Sequence, residues 1–261
     1  MTIDTGIKAL DLFAPLPSSG VVSLAAPAGH GALVLLLEVL HRTNARLVAL
    51  GAQTRTRDPR EFAAMFHEVL TPERRETSLL DASEPVATRL AHLDDRLEHA
   101  RTLHARTGDL VFLIIDVAGL PGIAPRTLEA GPGVLVVLFE ALLTDDEPDA
   151  WHGVADSTWR FSTEMAMAGT YPALDPARSH TVGAPERAEA RARWAEGGEW
   201  ATRLEMYLSQ PFEVAEYYTG LPGTHVPAST AHADLTALLA GADDDIEPEA
   251  MRSEGALNPT P

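Results

Sequence analysis

Residues 26–33 read APAGHGAL, set between the apolar runs VVSLA (21–25) and VLLLEVL (34–40). Gly29 and Gly31 in that setting predict a strand, a glycine turn and a helix. Such a turn aims successive backbone N–H groups past the helix N-terminus, where the dipole favours an anion. Chemistry on a bound triphosphate needs more: a lysine to neutralise the outer phosphates and a hydroxyl to hold Mg²⁺. Ala32 and Leu33 follow Gly31 and supply neither. The lysine has not moved to a neighbouring position either, because Lys8 is the only one in the chain and is expected to be a surface charge ahead of the first core strand. One charge-assisted hydrogen bond is worth about 1.5–3 kcal/mol, so its loss weakens phosphate binding by roughly tenfold or more. The residues alone leave two readings open: a phosphate cradle without its catalytic groups, or a structural turn.

Asp116 ends the apolar strand LVFLIID (110–116), where a phosphate-loop protein places a metal-associated acid. That strand is read as the neighbour of the one leading into the turn; the plainer reading is that a strand must end in something polar. The histidines do not form a metal site by spacing. His99 and His104 point about 140° apart on one helix, and His92 and His99 share a face that reads as solvated. Neither a G-x-S-x-G elbow nor an H-E-x-x-H pair occurs. Asp94–Asp95 and Asp145–Asp146 are expected to be surface or loop charge.

These residues need a scaffold, and the first 140 residues supply alternating strand and helix signals. Strands are predicted over 21–26, 46–50, 77–81, 110–116 and 133–143. Helices are predicted over 32–43, over 58–70 behind an Asp58–Pro59 start signal, and from Ser83 to about Arg106, with Val86, Leu90, Leu93, Leu97 and Ala100 three and four apart. All-apolar strands alternating with helices predict an α/β fold whose mainly parallel sheet is covered on both faces. Beyond residue 150 come short aromatic strand and loop pieces. A charge-rich helical stretch over 185–211 follows, broken at Gly197–Gly198, and then a helix from near Ser229 or Thr230 to Gly241. The domain expectation is an α/β nucleotide-binding-type unit over 1–183, a reduced helical region over 184–240 packed on it, and an acidic disordered tail over 241–261.

With 261 residues and 45% apolar content the chain can bury a substantial core. A net charge of −18 opposes nucleic acid and anionic membranes alike. The absence of cysteine removes thiolate chemistry and disulfides. No apolar run is long enough to span a bilayer and the N-terminus has no signal-peptide pattern, so a cytoplasmic location is expected.

Several segments, in order, resemble the catalytic β subunit of rotary proton-translocating ATP synthases. TGIKALDLFAPLPSSGVVSL (5–24) resembles the lead-in to that family's nucleotide domain, and APAGHGAL falls on its phosphate loop, with Ala32 and Leu33 at the Lys and Thr positions. GAQTRTRD (51–58) falls on G-E-R-T-R-E, placing Thr54 at the water-activating glutamate and keeping Arg55, which in the family approaches the terminal phosphate. SEPVATR (83–89) resembles N-E-P-P-G-A-R, and Asp116 occupies the strand-end acid. YPALDP (171–176) and LSQPFEVAEYYTG (208–220) resemble the two segments that build the adenine pocket. The resemblance implies Tyr171 stacked on the base, with Phe212, Ala215 and Tyr218 as the other walls. It covers roughly residues 5–240, with gaps, and implies a RecA-like fold.

The departures are as informative. The family's N-terminal β-barrel has no counterpart before Thr5. Only about 40 residues separate Asp116 from Asp156, about half the family's spacing. The acidic helix-turn that meets the rotor is absent between Tyr171 and Gln210. With lysine, metal hydroxyl and water-orienting carboxylate missing together, the resemblance implies a non-catalytic pseudo-ATPase, not an enzyme. It would act through a protein partner, a rotary ATPase or another complex, as a regulatory, assembly or structural component, and as a monomer or dimer rather than a hexameric ring. The alternative is a sensor that binds ADP or ATP weakly, without strong Mg²⁺ dependence and without hydrolysis, no cofactor being required. A residual ATPase using Arg55 or Arg57 is a third reading.

Overall fold

The computed structural model describes residues 1–52, 64, 66–67, 69–80, 83–117, 120, 128–145, 147–148, 151, 153–242, 246–247, 251–252 and 257. Thr54, Arg55 and most of the helix expected over 58–70 lie outside the described residues.

Among the described residues seven strands form the central sheet: β3 (Gly20–Pro27), β4 (Arg46–Ala52), β5 (Arg75–Leu80), β6 (Val111–Asp116), β7 (Val134–Leu142), β8 (Ser157–Arg160) and β9 (His180–Thr181). Their order is β5-β4-β6-β7-β3-β8-β9, parallel throughout except for the β8–β9 pair at one edge. A small antiparallel pair, β1 (Thr2–Ile3) with β2 (Leu16–Pro17), stands apart from it. The expected α/β fold, a mainly parallel sheet flanked by helices, is what the chain adopts.

Alternation along each strand sends side chains to two cores, as a sheet covered on both faces requires. Val22 and Leu24 of β3, Phe112 and Ile114 of β6 and Val137 of β7 share one core with Leu36, Val39 and Leu40 of α2 (Ala32–Arg42). Leu10 and Phe13 of α1 (Lys8–Phe13) join it. The other core sets Val48, Leu113, Ile115 and Val136 against Leu93, Leu97, Ala100 and Leu103 of α3 (Val86–Thr107). Pro85, not Ser83, holds the N-cap position of α3, and Val86 is exposed, so the apolar stripe starts one turn later than the spacing suggests.

The C-terminal half returns to the first core. After α4 (Thr163–Met167), α5 (Ala188–Glu196) and α6 (Gly198–Leu208) are separated by the Gly197–Gly198 break. A 3₁₀ turn (Glu213–Ala215) runs into α7 (Glu216–Thr219), and α8 (Ala228–Ala240) stops at Gly241 in the left-handed region.

Two expectations are corrected. Lys8 is fully buried, with its Nζ 4.5 Å from the Tyr207 ring centroid, because α1 packs against α8 and sets Lys8 over Tyr207 of α6. Within the stretch expected to be a disordered tail, Met251 and Leu257 are buried in the first core, and Leu257 N donates to Asp234 Oδ2 at 3.1 Å. Scattered apolar residues in an acidic segment without periodicity gave no local signal of a docking site formed by distant helices.

Candidate functional site

Parallel register fixes where the glycine turn lies. Pro27 stands opposite Leu142, and Ala25 opposite Arg160, so residues 28–31, 143–145 and 161–163 meet at the carboxyl edge of β3, β7 and β8. This edge is where open α/β sheets bind ligands. Gly29 (φ 83°) and Gly31 (φ 82°) are both left-handed, and Gly31 is the N-cap of α2. An added Cβ on Gly31 would come 3.4 Å from the Tyr171 ring, an ordinary contact, so the ring lies beside the turn and it is the left-handed φ that calls for glycine.

The start of α2 is apolar in fact as well as in name. Ala32 is buried, and Leu33 packs on the first core. The turn is instead crossed by a polar chain. His30 Nδ1 is 3.0 Å from Ala28 O, and its Nε2 is 2.8 Å from Thr163 Oγ1. The Thr163 hydroxyl donates to Asp145 Oδ1, and the Thr163 N–H donates to Asp145 Oδ2 at 2.5 Å. Arg160 and Arg178 each donate to the Asp145 carbonyl at 2.7 Å, and Arg178 lies 3.9 Å from the Asp145 carboxylate. Burial pushes the Asp145 carboxyl upward, but the Thr163 hydrogen bonds and the Arg178 and His30 charges outweigh it and hold the group below the usual range. A carboxylate tied to the turn therefore occupies the neighbourhood in which an anion-binding loop would concentrate positive charge.

Asp145 is thus not the loose loop charge expected from its Asp–Asp context. The signal that could have exposed this network was a histidine between two glycines, together with an acid directly after a buried strand. Neither is specific by itself.

Asp116 ends β6, buried, and stands in register with Phe139 of β7. It is not on the neighbour of β3: β7 lies between them, so the adjacency expected from chain order is corrected. Among the described residues no three histidine or acidic side chains converge as a metal site would require.

The two aromatic segments are joined through the backbone, Gln210 N donating to Tyr171 O at 2.7 Å. Their side chains have different settings. Tyr171 is half-exposed beside Gly31, Phe212 is buried in the first core and Ala215 is partly buried against it. Tyr218 is 75% exposed, with its ring edge-on to Tyr217 at 5.3 Å.

The buried polar residues nearby hold the backbone. Gln210 accepts from Lys8 N at 2.9 Å and donates to Gly6 O and Thr224 O at 2.8 and 2.6 Å. Glu38, fully buried on α2, receives Arg42 Nε at 2.6 Å and the N–H groups of Glu213 and Val214 at 3.2 and 3.0 Å. Arg42 in turn donates to Gly6 O and Thr224 O.

A sheet of this order with a glycine turn feeding α2 defines an α/β protein with a RecA-like fold. No family model matches the chain. It is 26% identical to ATP synthase subunit beta of Coprothermobacter proteolyticus over 334 aligned positions, covering 98% of this chain and 72% of that one. That alignment is longer than this chain's 261 residues, so stretches of the relative have no counterpart here. Among solved structures the fold is similar to a unique ATP synthase subunit, NeqB, from Nanoarcheaum equitans, with a TM-score of 0.57 and 15% identity over 78% of this chain and 62% of that one. The chain thus spans less than two thirds of the length of that solved subunit. Its recognition from the sequence as a reduced relative of the ATP synthase β subunit is borne out. No described helix is long and apolar enough to cross a membrane.

Proposed function

We propose that this chain is a non-catalytic relative of the ATP synthase β subunit that acts through protein contacts, as a regulatory, assembly or structural partner of a larger complex. The observation that carries this reading is the start of α2. Ala32 and Leu33 turn inward, and the cradle before them is crossed by His30, Thr163 and the ionised Asp145. Phosphoryl transfer depends on positive charge and a positioned water. Each missing preorganised donor costs on the order of 10²–10³ in rate. The family relationship of the relatives supports a place in, or beside, a multisubunit ATPase.

A nucleotide sensor is the second reading, favoured by the Tyr171 ring lying half-exposed against Gly31. Phosphate-release assays on the purified chain, compared with Arg55→Ala, are expected to return equal background. Steady turnover that Arg55→Ala abolishes would overturn the non-catalytic reading. Calorimetry with ADP, with and without Mg²⁺, separates the two readings. Binding that is insensitive to the metal and lost in Tyr171→Ala supports the sensor, and no heat at millimolar ADP removes it.

A further inference from the structure

Tyr217 and Tyr218 are 91% and 75% exposed on α7, and Leu221 just beyond the helix is 57% exposed. Single exposed apolar side chains are ordinary, but two adjacent tyrosines stacked edge to face in solvent form a prepared contact surface. The backbone beneath them is fixed. Glu38 accepts the N–H groups of Glu213 and Val214 from below, and Gly220 at φ 68° closes α7. Gly223 abuts the same turn so closely that an added Cβ would stand 2.4 Å from Glu213 N. The rings are therefore presented on a rigid turn, which lowers the entropy cost of docking on them.

The nearest carboxylate is on the same short helix: Glu216 adjoins the pair and has no ion-pair partner among the described residues, while Glu213, one turn earlier, lies 2.9 Å from His41 Nε2. No lysine or arginine occurs between Arg203 and Arg252. A tyrosine face attracts a cation, a guanidinium best satisfies a ring and a carboxylate together, and tyrosine with arginine is a preferred pairing at interface centres. A phosphate-bearing ligand would meet the two carboxylates and an overall charge of −18.

We propose that Tyr217, Tyr218 and Glu216 form the docking surface for an arginine-bearing extended segment of a partner protein, the guanidinium stacking on the rings and pairing with Glu216. This rests on the reading of the chain as a protein-contact module.

The test uses the full chain and a fluorescent octapeptide of alternating glycine and arginine, with lysine and glutamate versions, read by anisotropy at two salt concentrations. The arginine peptide is expected to bind more tightly than the lysine one. Tyr217→Ala or Tyr218→Ala should each weaken it about two- to fivefold. Glu216→Gln should weaken it too, while Glu98→Gln on the distant face of α3 leaves it unchanged. Equal binding of both basic peptides, with Glu98→Gln as harmful as Glu216→Gln, would reduce the effect to the acidity of the chain and overturn the proposal. Absence of binding, or displacement of the peptide by ADP in a Tyr218-dependent manner, would overturn it as well. The phosphate-release assay is independent of this surface. Turnover there defeats the non-catalytic reading, whereas an inert chain that ignores the arginine peptide defeats the surface alone.

Discussion

His30 Nε2 lies 2.8 Å from Thr163 Oγ1, so the turn offered by the sequence to a phosphate is spanned by one of the chain's own side chains. Thr163 passes that link to Asp145, whose negative charge opposes an anion at the turn. Asp145→Asn is expected to tighten ADP about three- to tenfold, the effect of one nearby charge partly screened by solvent. Combined with Ala32→Lys and Leu33→Thr, it should gain a further factor of ten or so from the restored charge-assisted bond. Calorimetry checks both, and affinities unchanged from the parent would mean that the turn never bound phosphate.

Glu38 is the buried acceptor for Arg42 and for two backbone N–H groups of the 3₁₀ turn. Glu38→Ala leaves Arg42 and those groups without it, and is expected to cost about 3–5 kcal/mol of stability, as for other broken buried pairs. Glu38→Gln keeps one oxygen and should cost less. Urea unfolding of the two variants measures this, and hydrogen exchange should show the 213–220 backbone opening first in Glu38→Gln.

Two buried groups set an unusual pH profile. Burial pushes Asp11 up to about 7, against the lowering effect of its hydrogen bonds from Thr5. Burial draws Lys8 down to about 8, against the opposing pull of Asp234. A raised acid contributes stability at low pH that is lost as pH climbs through its folded value; a depressed base contributes stability at high pH that is lost as pH falls through its folded value. Between pH 5 and 10 the urea midpoint should therefore dip near 7–8. Asp11→Asn should flatten the acid limb and Lys8→Met the alkaline one. A midpoint that peaks at neutral pH in the parent would contradict the burial of both groups.

Met251 and Leu257 lie in the core although their segment is acidic and aperiodic. Because the chain has no cysteine, Met251→Cys introduces a single thiol whose labelling rate reports opening. It should react far more slowly than a cysteine at exposed Ser229, and adding Leu257→Ala should speed it. Equal rates at positions 251 and 229 would show that the segment does not dock.

The order of strands and helices over the first 140 residues was legible because local patterning decides it: unbroken apolar strands and three-and-four spacing leave few alternatives. Gly29 and Gly31 were legible for the same reason, since only glycine enters the left-handed region without strain. That Ala32 and Leu33 follow Gly31 is a sequence fact that no fold can alter. What required the tertiary structure was every relation between distant segments. Sheet order put β7 between Asp116 and the glycine turn, and parallel register brought Asp145 and Thr163 to His30. Convergence of α1, α6 and α8 buried Lys8 and gave Met251 and Leu257 a place to dock. Burial and charge environment are sums over neighbours contributed by the whole chain, and a single stretch of sequence contains only one side of each sum.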